Sequence, residues 1–379
     1  MLLPVLPYRS GGKLTFPLCA TCANEQNQHE PCDHNDSQRQ ISGDWVSLEL
    51  AKAVKLGYKI VEIYEVWHWE NHEDGLFRDY INTFLKVKTE CSGWPSDDMT
   101  DDEKDQYIAA YKDREGVDLE KNKIKKIPGL RAISKLCLNS MWGKLGQKDN
   151  KMTGKYLSDP GELYELIMDK SIEIHDIILC NEDIVRVNYK TSGDFAVRSN
   201  NRTNVVIASF TTAHARLILY SYMEKLGERC LYTDTDSLIY RVAPGEEDLP
   251  LGNFLGDLTC EITGKYGPGA YITTYVSGGP KNYSYKVYSP RDNDYHTEIK
   301  VKGLNLNYRN KKIVNFQSLV DIITGDPERE LIVYNPNTIR RNVKDCTIFN
   351  RDESKRYRCV YTKRAFDPNN QYSTLPYGY

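Results

Sequence analysis

Apolar positions change their period along the chain, and the changes mark out elements. Val46, Leu48, Leu50, Ala53, Val54 and Leu56 recur at helical spacing and stop at Gly57, which predicts a short helix over 45–57. The strand-forming run 58–67, YKIVEIYEVW, predicts a β-strand directly after it. Phe77, Tyr80, Ile81, Phe84, Leu85 and Lys88 form the next helical stripe and its far side, ended by Ser92-Gly93-Trp94-Pro95. Asp97, Asp98, Asp101, Asp102, Glu103 and Asp105 gather where another helix should start, the end its dipole favours for acids. Pro128 opens a helix reading PGLRAISKLCLNSMWGKLGQ. Its wheel places Arg131, Lys135, Asn139 and Trp142 within about 80° of one another at 100° per residue, with Leu130, Ile133, Leu136, Cys137, Ser140 and Met141 expected toward a core. Residues 147–200 alternate polar turns and short strands and carry no motif. A long helix is expected over 204–226, with Val206, Phe210, Ala213, Leu217, Tyr220 and Met223 inward and His214 and Arg216 structural. It delivers the chain into LYTDTDSLIY at 231–240, which predicts strand, tight turn, strand. Further strands are expected around 271–275, and the last dozen residues read as a frayed end. Helices and antiparallel strands in this order define an α+β chain.

Composition narrows the class. The 379 residues are 40% hydrophobic and 27% charged, enough for two or three domains with real cores. The net charge is only −3, so any nucleic-acid affinity must come from local patches. Residues 121–155 hold ten Lys and Arg against Asp149, a net +9, and residues 281–312 carry a net +5. The 27 tyrosines, against nine phenylalanines, suit surfaces where rings stack or hydroxyls reach a backbone. No stretch is long and apolar enough for a membrane span, and the opening MLLPVLP lacks the form of a signal peptide, so an intracellular location is expected. The ten cysteines then read as free, buried or metal-bound.

Four stretches carry chemistry. Asp234 and Asp236 crowd two carboxylates at the predicted hairpin tip, where a cation would relieve their repulsion and hard oxygen ligands suit Mg²⁺ or Mn²⁺; a solvated Asx-turn is the plain alternative. Arg131, Lys135, Asn139 and Trp142, followed by Gly143, present charges for phosphates, an amide and a flat ring for sugar and base, and room for close approach. An ordinary amphipathic helix with a basic face is the competing reading. Cys19, Cys22, Cys32 and His34, spaced C-x2-C-x9-C-x-H, match a structural Zn²⁺ set, with His29 able to replace His34 and unligated thiols as the alternative. Beyond the Gly278-Gly279-Pro280 bend, Lys281, Tyr283 and Tyr285 form a plausible clamp on a nucleic-acid backbone.

K-x3-N-S-x-W-G from Lys135, Y-x-D-T-D-S from Tyr232 and K-x-Y from Lys281 follow one another in a fixed order. Together they resemble motif B, motif C and the Lys-Tyr motif of family B DNA polymerases, over most of the chain from Pro128 to about Lys312. The stretches VLPYRSGGKLTFPLC, IYEVWHW and GGPKNYSY are similar to the protein-primed branch found in Maverick or Polinton elements and related viruses. The resemblance implies a right hand of palm, fingers and thumb, incomplete at its N-terminus. Residues 1–126 would be an N-terminal segment with the zinc knuckle, similar to the insertion between motifs A and B. Residues 127–150 would be the fingers helix, 151–200 an insertion, 201–280 the palm with its catalytic hairpin and 281–379 a thumb-like region. Asp236 and, less directly, Asp234 would hold the catalytic Mg²⁺, Lys135 and Arg131 would meet the triphosphate, and Asn139, Trp142 and Gly143 would line the nascent base pair. Lys281 and Tyr283 would hold DNA. Partners would be primer–template DNA, deoxynucleoside triphosphates and a terminal protein primer, at a nuclear or viral replication site and with no membrane.

Two departures qualify the resemblance. Trp142 stands where the family usually has Tyr, which removes a hydroxyl beside the sugar. The motif A segment D-x2-S-L-Y-P and the exonuclease motifs occur nowhere in the sequence, so the chain resembles the C-terminal part of a longer polymerase and is expected to be inactive alone. A non-catalytic nucleic-acid-binding relic is the rival reading. A metal-dependent nuclease using Asp234 and Asp236 explains nothing about Lys135 to Gly143.

Overall fold

The structure, a computed structural model, describes residues 3–148, 150–193, 195, 203–326, 328–342, 345 and 347–379. Asp149, the one acid of the basic stretch, lies outside them. The chain divides into two compact units, one made of residues 45–147 and 201–260, the other of residues 2–44, 148–200 and 261–379.

The first forty residues fold into β1 (Tyr8–Ser10), paired antiparallel with β2 (Lys13–Thr15), then α1 (Ala20–Glu25) and α2 (Asp36–Arg39). Helix α1 starts where the Cys19 sulfur accepts the Cys22 N–H, and α2 where Asn35 and Gln38 form a reciprocal capping box.

Four helices follow in the other unit: α3 (Ser47–Lys55), α4 (Arg78–Glu90), α5 (Asp101–Glu115) and α6 (Pro128–Leu145). Two of them, α5 and α6, start where the chain marks it. Thr100 and Glu103 form a capping box with Asp101 and Asp102 in the first turn of α5, and Pro128 sits in the first turn of α6. Between α3 and α4 the structure departs from expectation. Residues 59–67 form no strand, and Val61, Tyr64 and Val66 are more than 70% exposed. A strand exists by its neighbour's hydrogen bonds, and among the described residues none pairs with this stretch.

The next segment builds β3 (Thr153–Leu157), α7 (Pro160–Met168), β4 (Ile172–Leu179) and β5 (Val185–Thr191) into an antiparallel sheet of order β3-β5-β4, with α7 an element that periodicity did not predict. Helix α8 (Val205–Leu226), capped by the Asn204 side chain, leads through a short turn into β6 (Cys230–Asp234) and β7 (Ser237–Tyr240).

The first unit closes around Leu85, Tyr111, Val117, Leu119 and Ile124, with Trp94 and Tyr107 packed on the cluster. Helix α4 packs on α6, and α6 on α8, where a side chain at Gly146 would come within 3.2 Å of the Ala208 methyl. Buried Glu49 of α3 is matched by Arg216 of α8, whose Nε donates to it at 2.9 Å, so Arg216 is structural. The wheel of α6 needs correction. Its sunken line is Ser134, Cys137, Leu138, Met141 and Leu145, whereas Leu130, Ile133, Leu136 and Ser140, expected inside, are exposed. Ser134, 1% exposed, answers its own Leu130 carbonyl at 3.0 Å, and this small residue lies on the face that packs, which larger apolar chains would hold apart.

In the second unit α9 (Glu261–Tyr266) precedes the antiparallel sheet of β8 (Tyr271–Ser277), β9 (Tyr283–Ser289) and β10 (Asp294–Lys300), with β9 central. After α10 (Asn310–Ile313), α11 (Phe316–Thr324) covers this sheet, burying Leu319 and Ile322 with Val314, Val333 and Tyr357. The hairpin of β11 (Leu331–Asn342) and β12 (Thr347–Tyr357) and the pair β13 (Ala365–Asp367) and β14 (Asn370–Leu375) complete it. The C-terminus is not frayed: Tyr377 is 1% exposed and packs on Cys19, Cys22, Ala23 and Ala365.

Candidate functional site

Strands β6 and β7 pair so that Asp234 faces Ser237, leaving Thr235 and Asp236 as a two-residue tip. Thr235 has φ +57°, a left-handed conformation that a β-branched residue adopts at a cost of order 1–3 kcal/mol. Local hydrogen bonds hold it: the Asp236 N–H donates to the Asp234 carbonyl at 2.6 Å, Thr235 Oγ1 to Asp234 Oδ1 at 3.1 Å and Ser237 Oγ to the Asp234 carbonyl at 3.0 Å. Asp234 is half-buried and Asp236 exposed, so the tip offers hard oxygen ligands to solvent. Among the described residues no third ligating side chain joins the pair.

On α6 the expected polar row is present. Arg131, Lys135, Asn139, Trp142 and Gly143 are all exposed, and among the described residues nothing lies within 4 Å of where a side chain at Gly143 would begin. Arg131 is aimed by Ser92, whose hydroxyl accepts its Nε at 3.1 Å. Sequence reasoning missed the third cation here. Lys88, half-buried on α4, has its pKa lowered by burial first and then by the charges of Arg131 and Lys135. A lysine in the apolar stripe of an amphipathic helix was the signal that could have marked it. The wider basic stretch is weaker than its count suggests, because Asp105, Glu120, Asp97 and Glu162 stand within salt-bridge distance of Lys121, Lys123, Lys126 and Lys155. Among the described residues, none pairs in this way with Arg131 or Lys135.

Lys281 and Tyr283 belong to the second unit. The β8–β9 turn is drawn tight by glycine: Gly279 has φ +111°, and a side chain there would meet the Val360 carbonyl oxygen at 2.1 Å. Buried Asn282 braces it, donating Nδ2 to the Gly278 carbonyl at 3.2 Å and accepting the Tyr357 hydroxyl at 2.7 Å. Lys281, exposed with φ +58°, stands at the tip. Tyr283 stacks with Tyr285 at 6.2 Å between ring centres and lies 6.1 Å from Tyr275, a row of rings on one sheet face.

The second unit also brings together Cys19, Cys22, Cys32 and His34, whose ligand atoms all lie within 4.8 Å of one another. His34 Nδ1 is 3.6, 3.3 and 3.6 Å from the three sulfurs in turn. His29, the alternative ligand, stacks on Phe366 instead, 5.2 Å between ring centres. Burial, followed by hydrogen bonds with Cys32 and Cys19, pushes the Cys22 thiol up to about 12. At Cys32 burial is outweighed by hydrogen bonds from the His34 backbone and ring, which draw it down to about 7.

Among known proteins, no family model matches the chain and no curated protein matches it. In fold the chain is a mixed helix and strand protein with a weak likeness to a DNA polymerase. That likeness is to the Phi29 DNA polymerase complexed with primer-template DNA and incoming nucleotide substrates, at a TM-score of 0.44 and 15% identity over 76% of this chain. The matched part spans 38% of that polymerase's chain. Among the described residues no helix is long and apolar enough to cross a membrane.

Proposed function

We propose that this chain carries the nucleotide-binding helix and the catalytic hairpin of a DNA-directed DNA polymerase of the protein-primed family B type, which adds deoxynucleotides to a primer end. The observation that carries the reading is the cation cluster of Lys88, Arg131 and Lys135, in which burial and like charges already lower the Lys88 pKa. Such a cluster is relieved by an anion, and a triphosphate supplies several charged oxygens in a row. Asn139, Trp142 and Gly143 continue the same exposed face, offering an amide, a ring and an open backbone to sugar and base. Mg²⁺ or Mn²⁺ held by Asp236 and Asp234 would supply positive charge to the reacting phosphate. Lys281 and the tyrosine row would grip primer–template DNA, and a terminal protein primer and a Polinton-like or viral origin belong to the same proposal.

The test is deoxynucleoside triphosphate binding by the 379-residue chain. Lys135→Ala removes one charge-assisted phosphate contact, about 1.5–3 kcal/mol, and is expected to weaken binding roughly ten- to a hundred-fold without unfolding α6. DNA binding with no triphosphate binding would favour the relic, and unchanged triphosphate affinity in Lys135→Ala would reject this face.

A further inference from the structure

We propose that Cys19, Cys22, Cys32 and His34 bind one structural Zn²⁺, and that this centre is a clasp that fastens the last residues of the chain to its N-terminal segment. The inference is independent of the polymerase reading. The geometry is that of a closed tetrahedral site. Metal–sulfur and metal–nitrogen bonds of about 2.3 and 2.0–2.1 Å put a ligand nitrogen about 3.6 Å from each sulfur. The structure has 3.3–3.6 Å for all three. Cys19 and Cys22 are at most 1% exposed, and four ligands leave no open position, so the site is built for structure and not for chemistry.

The surroundings are also those of a metal centre. Three thiolates and a neutral imidazole around Zn²⁺ carry a net charge of −1. Arg39 answers it, placing Nη1 2.9 Å from the Cys32 sulfur. The His34 ring turns Nδ1 to the sulfurs and Nε2 toward Glu25, 4.0 Å away, an acid placed to orient the ring.

The clasp follows from what else these residues hold. The second arm of Arg39, Nη2, donates to the Gly378 carbonyl at 2.8 Å, so one guanidinium ties a ligand to the C-terminus across 339 positions of sequence. The Leu18 N–H donates to the Tyr377 carbonyl at 2.7 Å and the Cys32 N–H to that of Tyr379 at 3.4 Å. Gly378, with φ +86°, lies so close that a side chain on it would meet the Cys19 Cβ at 2.3 Å. A cluster of small buried residues with Tyr377 gives little apolar area for a tail to hold by itself, and the ion supplies the rest.

The experiment uses the full chain purified without added metal. Elemental analysis is expected to give one zinc per chain, and Co²⁺ exchange should give thiolate charge-transfer bands with the intense visible absorption of a tetrahedral ion. Chelation should raise amide exchange at residues 376–379 together with residues 18–39. Arg39→Leu keeps all four ligands and is expected to lower zinc affinity about 10- to 100-fold and loosen the tail, which keeps the clasp testable even where Cys22→Ser fails to fold. Absence of zinc with no cobalt thiolate bands, or iron in its place, overturns the site. Stoichiometric zinc whose removal leaves exchange at 376–379 unchanged overturns the clasp.

Discussion

Lys88 concentrates the electrostatics of the first unit in one side chain. Folding lowers its pKa from 10.5, by burial first and then by Arg131 and Lys135, so above the folded value the unfolded chain binds more protons there. Stability attributable to this group therefore rises with pH through the window below 10.5, and charge on Lys88 is a burden at neutral pH. A bound triphosphate reverses the sign. Its negative oxygens raise the Lys88 pKa, the complex takes up protons, and affinity falls as pH climbs through the lysine's free value. Lys88→Met is expected to weaken triphosphate binding by roughly ten-fold at neutral pH, the loss of about one charge-assisted contact, and to flatten the alkaline fall. Isothermal titration across that range measures both, and an unchanged slope in Lys88→Met would assign the fall to another group.

Several elements were legible from local signals, although α7, which Asp159 caps and Pro160 opens, was not read from them. Pro128, Asn204 and the D-T-D turn each set an end by a bond or a dihedral within a few residues, and those helices and the hairpin begin there. Other failures were non-local. The 58–67 run has strand residues, but among the described residues no strand pairs with it, and the inward face of α6 is set by which helices close on Ser134, not by which residues are most apolar. The clustered side chains followed the same rule: the Cys and His spacing picked out four side chains that the fold brings together, while Lys88, Arg39 and Glu25 needed the fold to bring them in. The Asn282 bracket in the β8–β9 turn gives a test at this scale. Asn282→Ala takes from the buried Tyr357 hydroxyl its Asn282 acceptor and from the Gly278 carbonyl one of its two donors, the Val360 N–H remaining at 3.0 Å, which should cost about 1–3 kcal/mol in denaturant unfolding and loosen the turn that presents Lys281. Tyr357→Phe, which removes the hydroxyl itself, should cost less, and the reverse order would show that the bracket does not hold the turn.

At the scale of the whole molecule, a chain of net charge −3 must bind DNA through confined patches or not at all. Four of the lysines in the basic stretch already have carboxylates, so the stretch offers fewer charges than its count, and the contacts that the proposed function uses are Arg131, Lys135 and the Lys281 tip. DNA affinity is therefore expected to fall with salt, with a slope that reports only a few phosphates. Lys281→Ala should reduce the slope of log K against log salt by about one and weaken all sequences alike, since a tip lysine meets backbone and not bases. Extension is a stricter demand. On the proposed reading, catalysis would need a motif A carboxylate in addition to the hairpin pair, and no D-x2-S-L-Y-P occurs in these 379 residues. Without it neither the primer hydroxyl nor the triphosphate is held in line, and a misplacement of about 1 Å can cost a hundred-fold. The chain is accordingly expected to bind primer–template and triphosphate and to leave the primer unextended, while protein carrying a motif A segment in frame extends it. Primer extension with both proteins decides: robust synthesis by the 379-residue chain, abolished by Asp236→Ala, would show that another acid of this chain completes the site.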